Sequence, residues 1–483
     1  MLLNKKSKST IDEISIDKDL VIVGELVDIE ENYTLNDESN GSQSTSNSDD
    51  FAILSKLLAE AHQIIAFYDN NIMCVNDKMF LYDSKTGTWF QKTRAAFLHE
   101  LLVSFYKYTR DVQNMNEVFV NLKILVHKNS FPRLEGDNVL VLDNGSLFPV
   151  TGEFVEYSPK HYSLNKLGYA YDSQATCPTW ISFLDSVFRD DDDSHDKIKL
   201  LQEYMGLSLT NITKFQTMLM MVGAGSNGKS VILNVVRSLV GSSNASSVPL
   251  KDFNSKFKLI SLENKLVNID SELGVSSLSM SEIFKNIVGG ENVMLEQKFQ
   301  DAFQHKMCVK LWAAGNTLPS IKDNSEGIYR RIEILEMNRI FSKEEQVRDM
   351  TEKLLDELPG ILNWSLEGLK RLLTNDRLTT PASSAKALDN YKVYNNHVLL
   401  FLNERLVFIE GKGLKTSELY STYKEFAEEN GFTKYDRAVL GKTLKALGVK
   451  SISSNGVRYY NVALKPESSL EVSEDSLVCV DSM

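Results

Sequence analysis

The eight residues Gly223–Ser230, GAGSNGKS, fit the pattern G-x-x-x-x-G-K-[ST]. Glycines in such a loop let backbone N–H groups converge on phosphate oxygens at the start of a helix, where the dipole favours an anion. Lys229 can then reach the β- and γ-phosphates, and the Ser230 hydroxyl can bind Mg²⁺. The pattern predicts a site for ATP and Mg²⁺ formed by Gly223, Ala224, Gly225, Ser226, Asn227, Gly228, Lys229 and Ser230.

The residues on either side suit a phosphate-binding loop. The apolar run Met218–Val222 predicts a buried strand, and Val231, Val235 and Leu239 follow the loop at helical spacing. The competing interpretation is a glycine-rich turn that carries a lysine by chance. That interpretation explains the turn but not the full pattern in a strand–loop–helix context.

Three later stretches could complete an ATPase site. NKLVNIDSEL is an apolar stretch ending in Asp270 and Glu272, which could bind Mg²⁺ and activate the attacking water. The apolar stretch that ends at Asn316 places a polar side chain where it could contact the γ-phosphate or the water. Arg330 and Arg331 precede another apolar strand, and either could stabilise transition-state charge from a neighbouring subunit.

The order of these segments resembles the superfamily 3 helicases, and in particular the phage/plasmid primase C-terminal helicase family. The resemblance covers roughly residues 51–464. Besides GAGSNGKS it rests on LDNGSLFPVTGEFVEYSP, YDSQATCPTWISFL, LLQEYMGLSLT, FKNIVGGENVMLEQKFQDAF, WAAGNTLP and GIYRRIEILEM. It implies a ring of AAA+ ATPase subunits, with six subunits around single-stranded DNA.

The resemblance also assigns roles to single residues. Lys229 and Ser230 take the phosphate-loop roles, Asn316 the sensor role, and Arg331 the arginine-finger role, with Arg330 as the alternative. Lys298 and Phe299 fall in a hairpin that projects into the central channel to grip DNA. The alternative for Lys298 is a solvated surface lysine.

Two features depart from the family pattern. Ser271 separates Asp270 from Glu272, so the division between metal ligand and catalytic acid stays open, although Glu272 matches the catalytic acid best. The usual Gly-Gly-Asp is Gly289-Gly290-Glu291, which keeps the charge. The primase domain that many relatives carry has no counterpart, and we expect no primase activity.

The resemblance and the composition together predict an α/β fold class. The expected parts are an acidic, largely disordered segment (1–50), an N-terminal α/β helicase-associated module (51–194), an AAA+ P-loop ATPase core (195–345), a helical linker (346–395), a C-terminal winged helix (396–466) and an acidic tail (467–483). Two hairpins are predicted in the N-terminal module, one with a turn at Asn144-Gly145. The aspartate run FRDDDDSHDK is expected to be a solvated surface rather than a metal site.

The net charge of −12 is concentrated at the two ends of the chain. Residues 1–50 contain 12 acidic residues against four lysines, and residues 467–483 contain five acidic residues and no basic one. The remainder is nearly neutral, so a local basic patch could still bind DNA. Four scattered cysteines without a C-x-x-C pair suit a reducing compartment, and no apolar run is long enough to span a membrane.

Residues 405–465 form the most basic region, with 11 lysines and arginines against six acidic residues. The pattern helix, helix, helix, hairpin is the order that a winged helix requires. Its candidate recognition helix could bind duplex DNA, although a winged helix used for protein contacts is the alternative. The candidate DNA-binding residues are Lys434, Arg437, Lys442, Lys445 and Arg458.

The sequence therefore predicts an ATP-dependent, ring-forming DNA helicase that initiates replication of a phage, phage satellite, plasmid or other mobile element. Its expected partners are single-stranded DNA, origin duplex DNA, further copies of itself and host replication proteins, in the cytoplasm of a bacterial host cell. Two alternatives stay open: an origin-binding ATPase switch with little unwinding, and a small-molecule kinase with a phosphate loop.

Overall fold

The computed structural model describes residues 44–105, 112–132, 138–274, 282–298, 302–321, 326–430, 432 and 434–465. Most of the predicted acidic N-terminal segment and all of the predicted acidic tail lie outside these ranges. The described residues belong to two compact units, one formed by 44–70 and 94–127 and the other by 71–93 and 128–465. Within these ranges, no helix combines enough length and apolar character to cross a lipid bilayer.

The first unit is helical. Its elements are α1 (Ser44–Phe67), α2 (Arg94–Glu100), a π-helical turn (Leu101–Phe105) and α3 (Val112–Leu125). Ala61 and Ile64 of α1 are fully buried, as are Phe97 of α2 and Leu122 of α3, because apolar residues recur at helical spacing. The end of the segment 1–50, which was predicted to be largely disordered, is helical in the structure, since α1 begins at Ser44.

The second unit begins with two small antiparallel sheets. The first contains β1 (Ile72–Val75), β2 (Lys78–Asp83) and β3 (Thr88–Lys92), and the second contains β4 (Leu140–Leu142), β5 (Gly145–Leu147) and β6 (Phe154–Val155). Both predicted hairpins are confirmed. The turn of the second lies one residue earlier than predicted, at Asp143-Asn144, because Leu142 pairs with Gly145.

A five-stranded parallel sheet is the centre of the second unit. Its strands are β7 (Met218–Val222), β8 (Ala245–Ser246), β9 (Val267–Asp270), β12 (Lys310–Gly315) and β13 (Ile332–Glu336). Between β9 and β12 in the chain, β10 (Asn292–Leu295) and β11 (Phe303–Lys306) form a separate hairpin. The order across the sheet is β13-β7-β12-β9-β8, and all neighbours are parallel. The carboxyl ends of all five strands therefore lie at one edge.

Helices flank this sheet: α4 (Pro178–Val187), α5 (Ser194–Ser208), α6 (Lys229–Leu239), α7 (Lys256–Leu259), α8 (Glu282–Gly289), α9 (Glu326–Tyr329), α10 (Met350–Leu355), α11 (Leu358–Asn375) and α12 (Ala382–Asn395). Alternate residues of β7 enter separate apolar cores, with Leu219 and Met221 in one and Met218 and Met220 in the other. The second unit is thus a mixed α/β structure around a parallel sheet.

Two expectations for the surroundings of the sheet are corrected. The helical linker predicted over residues 346–395 begins as helix only at Met350. Before it, the chain forms a turn in which the Glu345 carboxylate accepts the Ser342 N–H at 3.0 Å. The aspartate run is not simply solvated. Asp191 and Asp193 face the fully buried Lys197, whose Nζ lies 3.1 Å and 3.9 Å from their carboxylates.

The C-terminal part has its own apolar core. Its elements are α13 (His397–Arg405), β14 (Leu406–Phe408), α14 (Thr416–Glu429), α15 (Arg437–Ala446), β15 (Ser451–Ser454), β16 (Val457–Tyr460) and β17 (Val462–Leu464). The predicted order of three helices and a hairpin is confirmed, with the turn at Asn455-Gly456. The pairing of β14 with β17 was not predicted.

Candidate nucleotide and DNA sites

The loop Gly223–Ser230 connects β7 to α6 at the carboxyl edge of the sheet. Ser226 and Gly228 have φ angles of +61° and +89°, so the backbone turns sharply before α6 begins at Lys229. Gly223 can only be glycine, since a Cβ atom there would lie 2.2 Å from the Met337 carbonyl oxygen. Ser226 and Ser230 are exposed at the mouth of the loop. The sequence therefore folds locally into the expected strand–loop–helix.

Lys229 is held inside this loop. Its Nζ donates hydrogen bonds to the Gly223 carbonyl at 2.6 Å, the Ala224 carbonyl at 3.3 Å and Asn227 Oδ1 at 3.0 Å. The residue is 9% exposed, and burial lowers the pKa of its ammonium below the ordinary value. The loop carbonyls hold the ammonium where triphosphate oxygens would compete for it, so the residues fit a nucleotide and its Mg²⁺.

The acidic strand lies two positions away in the sheet. Asp270 ends β9, is half-buried, and accepts the Leu250 N–H on Oδ2 at 2.8 Å. Glu272 is exposed two residues later. The two carboxylates therefore differ in environment: Asp270 is fixed by the backbone, whereas Glu272 is open to solvent at the same edge.

The strand β12 lies between β7 and β9. Gly315 pairs with Val222, and its carbonyl accepts the Gly223 N–H at 3.3 Å. Asn316 follows directly and is exposed. The tertiary structure thus places Asn316 beside the first residue of the phosphate loop and Asp270 on the next strand.

The segment after β13 closes the loop from the other side, and no sequence pattern pointed to it. Met337 accepts the Asn227 Nδ2–H at 3.2 Å, and the Phe341 N–H donates to the Ser226 carbonyl at 2.8 Å. Arg339 packs over the Phe341 ring, with its guanidinium carbon 4.4 Å from the ring centre. Only the fold brings this stretch against the loop.

Arg330 and Arg331 lie at the opposite, amino edge of the sheet. The Arg331 carbonyl accepts the Met218 N–H, five residues before Gly223 along β7. At about 3.3 Å per strand residue, this places Arg331 about 16 Å from the start of the phosphate loop. Arg330 is exposed, whereas Arg331 is half-buried and bonded within the chain. Neither side chain can reach the phosphate loop of the same chain.

The predicted DNA hairpin is formed by β10 and β11. Lys298 is exposed in its turn, and Phe299 lies outside the described residues. Lys78 packs on the end of the hairpin nearest this turn, where Phe303 pairs with Leu295, and its Nζ lies 4.7 Å from the centre of the Phe303 ring. This geometry leaves the Lys298 side chain free to project from a supported strand pair.

The structure adds a second candidate contact, which the sequence reasoning missed. The short helix α7 packs beside β10, and Lys256 forms an ion pair with Glu296 at 2.9 Å. Phe257 is 56% exposed next to this pair, and Lys258 pairs with Asp252 at 2.7 Å. The sequence run Lys-Phe-Lys could have indicated this contact. An aromatic ring between two lysines suits a nucleic acid base stacked on the ring, with the neighbouring phosphates near the lysines.

In the C-terminal part, the five predicted residues fall into two groups. Lys434 is ion-paired with Glu428, and Arg437 lies over the Tyr420 ring at 5.1 Å. The other three are exposed and form no ion pair within the described residues: Lys442, Lys445 and Arg458. Asp436 caps α15 by accepting the N–H groups of Ala438 and Val439, each at 2.8 Å.

Two protein-family models match the chain. Residues 57–189 match a family described as D5 N terminal like, and residues 221–331 match a family of unknown function, DUF5906. The first match spans the N-terminal segments, and the second contains the phosphate loop, the acidic strand, the hairpin and the arginine pair. Each match spans less than half of the chain.

The solved structures similar to this chain include those of the NrS-1 C-terminal region. An A-form apo structure of the NrS-1 C-terminal region is 12% identical, covers 82% of this chain and 96% of that chain, and has a TM-score of 0.44. A further apo structure of the same region is also 12% identical, covers 84% and 99%, and has a TM-score of 0.46. Similarity at this level establishes neither the fold nor the activity of this chain.

Proposed function

We propose that this chain is an ATP-dependent DNA helicase that assembles into a ring and initiates replication of a phage, plasmid or similar mobile element. The observation that carries the proposal is the carboxyl edge of the parallel sheet. Three neighbouring strands end there in the buried Lys229 loop, in Asn316, and in Asp270 followed by Glu272. Such an edge can bind a triphosphate, hold Mg²⁺ and position a water for hydrolysis.

The chemistry at this edge follows from the surroundings of each residue. Lys229 would stabilise charge on the β- and γ-phosphates, and Ser230 and Asp270 would hold Mg²⁺, which polarises the phosphoryl group. Glu272 would take the proton of the attacking water, because its carboxylate is exposed and not bonded to the backbone in the described contacts. Asn316 would orient that water from the central strand.

The arginine pair supports assembly into a ring. An arginine about 16 Å from its own phosphate loop can contribute to catalysis only by reaching the loop of another subunit. We assign this role to Arg330, because its side chain is exposed and that of Arg331 is held within the chain. Residues of the neighbouring subunit would complete each ATP site.

The hairpin and α7 favour a DNA motor over a small-molecule kinase. A kinase requires an acceptor pocket and a lid beside the phosphate loop, whereas Lys298 and Phe257 are exposed in elements that pack together. Lysine would bind phosphates of any sequence, and phenylalanine would stack on a base. The basic C-terminal part, which we interpret as a winged helix within an AAA+ architecture, would bind the origin duplex.

The test measures ATP hydrolysis by the full chain with and without single-stranded DNA, followed by strand displacement on a forked duplex. We expect hydrolysis that DNA stimulates and that Lys229→Ala abolishes, together with unwinding. Hydrolysis stimulated by DNA without displacement would identify the origin-binding switch. Hydrolysis that DNA does not change would remove the DNA motor and favour the kinase.

A further inference from the structure

We propose that Arg331 is a positioning residue that links the arginine pair at the amino edge of the sheet to the base of the DNA hairpin, through Gln216 and Thr213. This inference rests on the proposed function and assigns a coupling role to contacts that the motifs do not cover. Arg330 and Arg331 are neighbours in sequence, yet one faces solvent and the other is bound inside the chain.

The contacts of Arg331 are internal. Its Nη1 donates to the Gly327 carbonyl at 2.6 Å, and its Nη2 donates to Gln216 Oε1 at 3.2 Å. Its Nε is buried and has no hydrogen-bond partner, so the guanidinium is held with only part of its donors used. Burial lowers the pKa of this group below its ordinary value. A half-buried guanidinium whose hydrogen bonds are only partly satisfied is sensitive to small movements of the acceptors around it.

Gln216 closes a tight turn. Its N–H donates to the Thr213 carbonyl at 3.0 Å, and its φ angle is +47°, which is uncommon for a residue with a side chain. The Met218 N–H, two residues later, is bonded to the Arg331 carbonyl at 2.9 Å. Arg331 is therefore joined to the turn 213–216 by a side-chain bond, and to β7, which follows that turn, by a backbone bond.

Thr213 packs directly on the start of the hairpin. Gly290 has a φ angle of +73°, and a Cβ atom there would lie 2.3 Å from Thr213 Oγ1 and 2.5 Å from its Cβ. The next residue, Glu291, accepts the Met307 N–H at 3.2 Å and closes the hairpin base one residue before β10. Movement of Thr213 is thus transmitted to the strands that carry Lys298.

The path runs without a gap from Gly327 and Arg331 through Gln216 and Thr213 to Gly290. A neighbouring subunit that binds the exposed Arg330 would shift the adjoining Arg331, and the hairpin base would shift with it. The role of Arg331 is consequently to couple occupancy of the ATP site at the subunit boundary to the position of the DNA-binding turn.

The experiment compares the stimulation of ATP hydrolysis by single-stranded DNA in four variants of the full chain: Arg331→Ala, Gln216→Ala, Gln216→Glu and Thr213→Ala. We expect the first two and Thr213→Ala to keep hydrolysis without DNA and to lose stimulation by about fivefold or more. Gln216→Glu keeps an acceptor for Arg331 and should retain stimulation. In a double variant, Arg331→Ala with Thr213→Ala, the losses should not add, because both break one path.

Lys214→Ala is the matched control, because Lys214 lies in the same turn but pairs with Asp376 at 2.5 Å. It should behave as the wild type. Stimulation that survives Gln216→Ala would overturn the inference and leave the proposed function intact. A second outcome would also overturn the inference: Arg331→Ala loses hydrolysis, and mixing it with Lys229→Ala protein restores hydrolysis. Arg331 would then be the arginine finger. If DNA fails to stimulate the wild type, the proposed function itself fails.

Discussion

The polar residues at the two edges of the central sheet differ in their exposure to solvent. At the carboxyl edge, Glu272, Asn316 and Ser230 are exposed beside the buried Lys229. At the amino edge, Lys310 is buried and bonded to the carbonyls of Thr210 and Cys308 at 3.0 Å and 2.7 Å. Arg331 is likewise held inside, and only Arg330 of the arginine pair faces outward.

We interpret this difference as one between residues proposed to react and residues proposed to transmit or support. A group that meets phosphate, water or DNA either has unused donors or acceptors within reach of solvent or, like Lys229, must exchange its internal bonds for those of the ligand. A group that fixes the relative positions of elements satisfies its bonds inside the chain. In our proposal arginine takes both roles at adjacent positions, and we assign them by exposure, since Arg330 is exposed and Arg331 is bonded within the chain.

The largest expected effect tests the outward arginine. Arg330→Ala should lower hydrolysis by about 10³-fold or more, since a finger in trans stabilises transition-state charge. Mixing it with Lys229→Ala protein should restore part of the rate, because some interfaces then combine an intact loop with an intact Arg330. Steady-state hydrolysis over a series of mixing ratios measures this. Absence of recovery at every ratio would contradict an interface role.

The next effect separates the two carboxylates. Glu272→Gln should retain ATP binding but lower turnover by about 10²- to 10⁴-fold, the usual contribution of a general base. Asp270→Asn should weaken the Mg²⁺ dependence of binding, since Asp270 is fixed by the Leu250 N–H. Nucleotide binding and single-turnover hydrolysis distinguish them. Normal turnover in Glu272→Gln with loss in Asp270→Asn would reverse the two roles.

A smaller effect is expected at the DNA-facing elements. Phe257→Ala should weaken single-stranded DNA binding by about 1–3 kcal/mol, the value of one stacked base. Phe257→Trp keeps a stacking surface and serves as the control. Lys298→Ala should reduce unwinding while duplex binding persists. Binding by fluorescence anisotropy and displacement on a fork provide the readouts, and equal binding by Phe257→Ala and wild type would remove α7 from the DNA path.

Substitutions in the C-terminal part should mainly change how the affinity for duplex DNA depends on salt. In the variant Lys442→Ala with Lys445→Ala, the slope of log affinity for duplex DNA against log salt should fall by about 0.9 for each lost phosphate contact. Lys434→Ala is the control and should change the slope less, because Lys434 is already paired with Glu428. An unchanged slope in the double variant would favour a protein-binding role for this part.

The smallest effect concerns the buried amino edge. Burial lowers the pKa of Lys310 from 10.5 to about 8, so the unfolded chain binds more protons than the folded chain between those values. The wild-type fold should gain stability as the pH rises from 8 to 10.5, whereas Lys310→Met should not. Denaturant unfolding at pH 7 and pH 9.5 measures the difference. A stability difference between wild type and Lys310→Met that does not vary with pH would show that burial does not lower the pKa of Lys310.

The sequence by itself determined the local parts of this protein. The phosphate loop, the hairpins and the order of the C-terminal elements follow from spacing, glycines and turn residues, which act over a few positions. It also located the strands that end in Asp270 and Asn316. Their register was not determined, since which strands pair depends on contacts far apart in the chain.

Only the tertiary structure decided which of these residues share a site and which are enclosed. It put β12 between β7 and β9, packed α7 against the hairpin, and bound Arg331 to Gln216 while leaving Arg330 exposed. It also placed Asp191, one residue of the aspartate run, in an ion pair with the buried Lys197. The physical reason is burial: a side chain loses water only when distant segments close around it, and no local pattern records which segments will.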